Sequence, residues 1–89
     1  MEFVFLEGSW VADPEEIMTT WGSALRCILQ LQGFYGPVEL AVMVWDTTDP
    51  QVARIKKGGR AFICGFINEE DGEVWVEARG IFITGPEKA

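Results

Sequence analysis

Residues 60–83 read RAFICGFINEEDGEVWVEARGIFI, and this stretch decides the fold prediction. Two runs rich in β-branched and aromatic residues flank one acidic turn that ends in Asp71-Gly72. Glycine tolerates the positive φ that a tight hairpin turn needs. Asn68 and Asp71 favour turns through hydrogen bonds from their side chains to the backbone. The stretch is therefore predicted to form a β-hairpin.

Two further strands are predicted nearer the N-terminus. In residues 2–11 the side chains alternate between two faces as in a strand, and both faces are apolar. In residues 38–46, which follow Gly36-Pro37, the side chains also alternate, and one face is purely aliphatic. In the connection that follows, Asp49-Pro50 predicts a single helical turn over about 50–56. Residues 85–89 are expected to be a frayed tail.

The segment between these strands carries the strongest helix signal in the chain. Asp13 can cap a helix, Pro14 suits the first helical position, and two glutamates follow at the positive end of the helix dipole. Apolar residues then recur near helical spacing. From Leu25 onward they also alternate as in a strand, and Gly22-Ser23 could end a shorter helix. The cap and the lack of turn residues over 24–32 favour one continuous helix over about 14–32.

Size and composition predict a single domain over residues 1–89. Apolar residues make up 48% of the chain, with four Trp, six Phe and one Tyr. A chain this short has a small core, so part of this apolar surface is expected to meet a partner. The second face of the last strand, which carries Trp75, is half apolar. We therefore expect a homodimer.

The charge is acidic, with fourteen Asp and Glu against seven Lys and Arg, a formal net charge of −7. Nucleic-acid binding generally depends on neutralising phosphates, so the sequence predicts no nucleic-acid partner and no anionic membrane partner. Cys27 and Cys64 lie in apolar runs without a Cys-x-x-Cys motif or a signal peptide. Two reduced thiols and a cytoplasmic location are expected, with one disulfide as the alternative.

The hairpin also resembles a known family. Gly-Arg-Ala-Phe at 59–62, the Asp-Gly turn and the Val-x-Val-x-Ala-x-Gly-x-Phe pattern at 74–82 are similar to the closing strands of the hotdog-fold acyl-CoA thioesterase superfamily. Residues 36–40 resemble that family's preceding strand, so the likeness covers about residues 36–84. It implies an α+β fold that is usually dimeric. We expect an antiparallel sheet of four to five strands packed on one main helix.

The residue types present in the chain limit which side chains could form a catalytic site. Without histidine, the usual Ser-His and Cys-His nucleophiles are impossible, and no metal or cofactor is expected. Many family members carry a His-Gly-Gly stretch that this chain lacks, so enzymatic activity is left open. Asp13 and Glu16 are the catalytic candidates, with helix capping as the structural alternative.

Two groups of residues could bind a ligand. Gly-rich backbone beside basic side chains can hold phosphate oxygens, such as those of a coenzyme A nucleotide, although a solvated loop is the plainer interpretation. Aromatic residues could line a pocket for an acyl or aromatic group; Trp10 and Tyr35 flank turns, whereas Trp21 is expected to belong to the core. The basic candidates are Arg54, Lys56, Lys57 and Arg60, and the aromatic candidates are Trp21, Tyr35 and Trp45.

Three functions are consistent with these residues. The first is a dimeric, non-catalytic module that binds a small acyl or aromatic ligand. The second is an acyl-CoA thioesterase in which Glu16 or Asp13 activates water. The third is an acidic protein-interaction or inhibitor module that presents carboxylates to a basic partner.

Overall fold

A computed structural model describes residues 2–84, and strands dominate it. The predicted tail at 85–89 lies outside the described residues. In chain order the elements are β1 (Glu2–Trp10), β2 (Glu15–Thr19), β3 (Gly22–Gly33), β4 (Gly36–Val44), the 3₁₀ turn η1 (Val52–Arg54), β5 (Arg60–Glu70) and β6 (Glu73–Ile83).

The strands form one sheet in the order β1-β5-β6-β4-β3-β2. The sheet closes on itself because the end of β1 also pairs with β3, at Ser9 opposite Gln30 and Trp10 opposite Leu29. The pairing of β4 with β6 is parallel and every other pairing is antiparallel. The barrel therefore consists of five strands: β1, β3, β4, β5 and β6. β2 pairs with β3 to form a hairpin outside the barrel. A small five-stranded Greek-key barrel of this kind is the OB fold.

The core fills the barrel and is closed at one end by η1. Trp10, Leu29 and Ile63 are fully buried at its centre, and Val52 and Ile55 from the η1 segment pack against them. Closure of the barrel depends on a close approach at Gly8. A Cβ atom on Gly8 would meet the backbone carbonyl of Gln30 on β3, so only glycine fits there.

The predicted helix over 14–32 is wrong, because this segment forms β2, a turn and β3. The alternation from Leu25 is the signal that decided its structure: Cys27 and Leu29 are buried, and Arg26 faces outward. The turn at 20–21 leads into Gly22, whose φ of 120° is one that other residues rarely adopt. Asp13 caps no helix, since its carboxylate accepts a hydrogen bond from the backbone N–H of Lys57 at 2.9 Å.

The predicted α+β class and the hotdog-like architecture are wrong as well. No α-helix occurs among residues 2–84, and a hotdog fold needs one for its sheet to wrap. The sheet has six strands where four to five were expected, and it is not wholly antiparallel. The resemblance rested on a hairpin with an Asp-Gly turn, and such hairpins occur in many antiparallel folds.

The hairpin itself is confirmed. β5 and β6 pair from Ala61 opposite Ile83 to Glu70 opposite Glu73, with a bulge between Cys64 and Gly65. Both turn residues have positive φ, 53° at Asp71 and 82° at Gly72, as a two-residue hairpin turn requires. The predicted helical turn near 50–56 is present as η1.

In residues 2–84 there is no helix with the length and hydropathy needed to cross a membrane.

Candidate ligand-binding groove

The outward faces of β3, β4 and β6 form one continuous surface, because the register aligns their side chains in rows. In one row Met43 of β4 lies opposite Arg26 of β3 on one side and Glu77 of β6 on the other. In the next row Ala41 of β4 lies opposite both Ile28 and Trp75. Adjacent strands are about 4.8 Å apart and successive rows about 7 Å apart, so these side chains share one compact area.

This surface is the floor of a groove of about 570 Å³. The β2–β3 hairpin forms one wall and the start of β6 forms the other. Three tryptophans, Trp21, Trp45 and Trp75, are the largest side chains around it. The full lining is Ile17, Thr19, Trp21, Arg26, Ile28, Glu39, Leu40, Ala41, Met43, Trp45, Glu73, Val74, Trp75 and Glu77.

The turn between β2 and β3 holds Trp21 at the groove. The hydroxyl of Thr19 accepts a hydrogen bond from the backbone N–H of Trp21 at 3.0 Å and donates one to the carbonyl of Gly22 at 2.8 Å. The turn is therefore fixed, and the indole of Trp21 is 85% exposed. The expectation that Trp21 belongs to the core is wrong, because it rested on the helical stripe.

The charged side chains of the groove are mostly acidic. Three carboxylates, from Glu39, Glu73 and Glu77, face the space together with a single cation, Arg26. Flat aromatic rings beside hydrogen-bond acceptors can hold a planar ligand by stacking and read its edge through hydrogen bonds.

Trp21 and Trp45 are brought together in the groove, but the other predicted site residues are not. Tyr35 is 97% exposed in the β3–β4 turn, where its ring packs edge-on against Phe34 with centroids 4.9 Å apart. Glu16 is exposed on β2 opposite Leu25, and it does not line the groove, nor does Asp13. The two catalytic candidates thus share no site with the tryptophans.

The basic residues Arg54, Lys56, Lys57 and Arg60 are exposed and lie outside the groove lining. The glycines between them do not form a phosphate cradle. The N–H of Gly58 donates to the carbonyl of Trp10 at 2.8 Å, and the N–H of Gly59 donates to the carbonyl of Lys56 at 3.0 Å. Arg60 also forms an exposed ion pair with Glu7, with 3.3 Å between nitrogen and oxygen.

Sequence analysis missed the β6 side of the groove. The side chains of Glu73, Trp75 and Glu77 face outward, because Val76 between them is buried. From the sequence alone, the face that carries Trp75 is interpreted as a dimer surface. What linked them to Trp21 and Trp45 was the parallel pairing of β4 with β6. Such a pairing joins strands far apart in sequence and leaves no local pattern.

A second aromatic surface lies on β1, β5 and β6. We call it the Phe face, and it consists of Phe3, Phe5, Phe62, Phe66 and Phe82. The rings of Phe3 and Phe66 pack edge-on with centroids 4.9 Å apart, and the guanidinium of Arg79 lies 5.3 Å from the centroid of Phe66. Phe5 is 67% exposed.

Comparison with known proteins gives matches only among solved structures. No protein-family model matches the chain, and no curated protein sequence matches it. A deletion mutant of the single-stranded DNA binding protein from Thermus aquaticus matches with a TM-score of 0.79 and 20% identity, over 100% of this chain and 43% of that one. This chain thus spans less than half of the Thermus protein.

Two other matches cover both partners almost fully. The small single-stranded DNA-binding protein from Streptomyces coelicolor matches with a TM-score of 0.79 and 12% identity, over 92% of this chain and 91% of that one. The dimeric N-terminal domain of PriB from Thermoanaerobacter tencongensis matches with a TM-score of 0.76 and 18% identity, over 94% and 97%. At these identities the matches establish the fold: an OB barrel like that of single-stranded DNA-binding proteins.

These matches contradict three sequence-based predictions. The likeness to hotdog thioesterases is wrong, and with it the acyl-ligand and thioesterase functions, because the matched structures are OB-fold proteins that bind single-stranded DNA. The exclusion of a nucleic-acid partner is contradicted as well. It rested on net charge alone, which does not account for binding by stacking.

Proposed function

We propose that the chain binds single-stranded DNA in the groove by stacking bases on Trp21, Trp45 and Trp75. One observation carries this proposal. The three indoles surround the outward face of β3 and β4, the second and third strands of the barrel. In OB folds this face, together with the connections beside it, is the usual binding surface for oligonucleotides.

The charge of the chain indicates how such binding would work. At a net charge of −7, with Arg26 as the cation of the groove, neutralisation of phosphates contributes little. Stacking of a base on an aromatic ring contributes about 1–3 kcal/mol per base and tolerates any sequence. The three groove indoles, exposed at Trp21 and half-buried at Trp45 and Trp75, therefore supply the main attraction. The phosphates are expected to point away from the carboxylates and into solvent.

The test is fluorescence anisotropy with a labelled single strand of about 16 nucleotides, the upper end of the site size of one OB fold. The double variant Trp45→Ala/Trp75→Ala is expected to bind at least about tenfold more weakly than the wild type. Phe82→Ala removes an exposed ring of the Phe face and serves as the matched control. Failure of the wild type to bind, or an equal loss in both variants, would contradict the proposal.

The homodimer expected from the sequence remains a proposal, and the Phe face supports it. Four of its five phenylalanines are exposed and would otherwise meet water, and the fifth, Phe66, is half-buried. Residues 2–8 of β1 pair with β5 on one side, while β3 reaches β1 only at Ser9 and Trp10. The other edge of β1 can therefore accept a strand from a second copy. The matched PriB domain is dimeric.

Cytoplasmic location and a single-domain chain also remain proposals. Cys27 and Cys64 are both unpaired thiols, a state typical of a reducing compartment.

A further inference from the structure

We infer that the groove prefers bases with an exocyclic amino group, namely cytosine, adenine and guanine, over thymine. This inference rests on the proposed function and specifies which bases the site favours. It comes from the carboxylates around Trp75, which a site for a polyanion would not be expected to contain.

Trp75 has an acidic neighbour on each side along its own strand. Glu73 and Glu77 are two residues before and after it, so all three side chains point to the same face of β6, about 7 Å apart. Ala41 lies opposite Trp75 on β4, and Glu39, two residues before Ala41, is on the same face of that strand. A base stacked on Trp75 would therefore have carboxylates around its edge.

An ionised carboxylate only accepts hydrogen bonds. Cytosine N4 and adenine N6 are amino donors, and guanine carries its amino group at N2, so each can bond to such an oxygen. Thymine presents the carbonyl O4 where cytosine has its amino group. Its one ring donor, N3–H, lies between the carbonyls O2 and O4, whose lone pairs would face the negative charges, and those contacts are repulsive. Stacking on the indoles thus accepts any base, and the carboxylates select among bases by the hydrogen-bonding groups on the edge of the ring.

Arg26 does not cancel this effect. Met43 separates it from Glu77 in the register, so the backbone of Arg26 lies about two strand spacings from β6. From there it can contact a phosphate or a base on the β3 side. The edge of a base on Trp75 remains surrounded by acceptors.

The experiment compares oligo(dC), oligo(dA) and oligo(dT) of equal length at about pH 8, where carboxylates are ionised. The wild type is expected to bind oligo(dC) and oligo(dA) at least about fivefold more tightly than oligo(dT), the low end for one good base contact. In Glu73→Gln/Glu77→Gln the preference should shrink to within about twofold, because an amide both donates and accepts.

Glu16→Gln/Glu69→Gln is the matched control, since it removes the same charge outside the groove and should keep the preference. Equal or tighter binding of oligo(dT) by the wild type would overturn the inference while the proposed function stands. The same holds if the preference survives in Glu73→Gln/Glu77→Gln. Absence of binding to all three oligonucleotides would overturn both.

Discussion

Trp75 of β6 lies directly opposite Ala41 of β4 in the parallel part of the sheet. The methyl group of Ala41 is small, so it takes up little of the space beside the indole of Trp75, which lines the groove. The residue beyond Ala41 in the same row is Ile28, so no second large ring competes for the space. Under the proposed function, the space beside this small side chain is where a base would stack on Trp75.

Ala41→Leu should therefore weaken binding of single-stranded DNA. A leucine side chain at this position would pack on the indole of Trp75 and occupy the place of the base. We expect a loss of at least about fivefold in affinity, within the 1–3 kcal/mol that one stacked base contributes. Anisotropy titration measures it. Ala53→Leu, on the exposed side of η1, is the control, and an unchanged affinity in Ala41→Leu would show that this row does not hold a base.

Binding should depend only weakly on salt. A protein that makes six to ten phosphate contacts loses about 10³–10⁵ in affinity between 50 and 200 mM salt. With Arg26 as the groove's cation, we expect a change of less than about tenfold over the same range. Anisotropy titrations at several salt concentrations measure the slope. A slope typical of many phosphate contacts would place the DNA on the basic residues near η1 and not in the groove.

Stability should fall at alkaline pH because of Cys27. Burial raises the pKa of the Cys27 thiol from its ordinary value of 9.0 to about 11. Between these values the unfolded chain releases the proton and the folded chain retains it, so the free energy of unfolding decreases as pH rises. Below about pH 9 this group has no effect.

Thermal unfolding across that range tests the point. Cys27→Ala should show a shallower decline of Tm between about pH 9 and 11 than the wild type, whatever its absolute Tm. Val42→Ala, which truncates another buried side chain and keeps the Cys27 thiol, should decline as the wild type does. If Tm falls with pH equally in Cys27→Ala and the wild type, the Cys27 thiol is not the cause of the alkaline loss of stability.

The Phe face should control oligomeric state. A glutamate at Phe5 would place a charge on each copy at the surface where two copies are proposed to meet, and like charges buried together are costly. Light scattering coupled to gel filtration should give twice the chain mass of 10.0 kDa for the wild type and the monomer mass for Phe5→Glu. Phe34→Glu, in the β3–β4 turn, should remain dimeric. A monomeric wild type would rule the dimer out.

The local parts of the fold were predictable from the sequence. The β5–β6 hairpin has its own turn residues, Asp71 and Gly72, and β1 and β4 alternate regularly. The structure of segment 14–32 was not predictable, because Asp13-Pro14 resembles a helix cap. The spacing of apolar residues in this segment also fits both a helix and a strand. Pairing with β4 along nine positions decided in favour of a strand. Such a long-range contact is invisible in a local window.

The site was half predictable for the same reason. The sequence indicates Trp21 and Trp45 as aromatic candidates, although it favours the core for Trp21. Trp75 is on a strand whose partner in the groove lies more than thirty residues earlier. Net charge misled the choice of partner, because it measures the potential of the whole chain. Three indoles around one groove are a local property, and only the folded chain brings them together.

The most direct test is an NMR titration that follows the four indole N–H signals as a single-stranded oligonucleotide is added. Trp21, Trp45 and Trp75 line the groove, whereas Trp10 is buried in the core and serves as an internal reference. We predict that the three groove signals shift or broaden while that of Trp10 remains in place. Unchanged signals from all three groove tryptophans under saturating DNA would contradict the account.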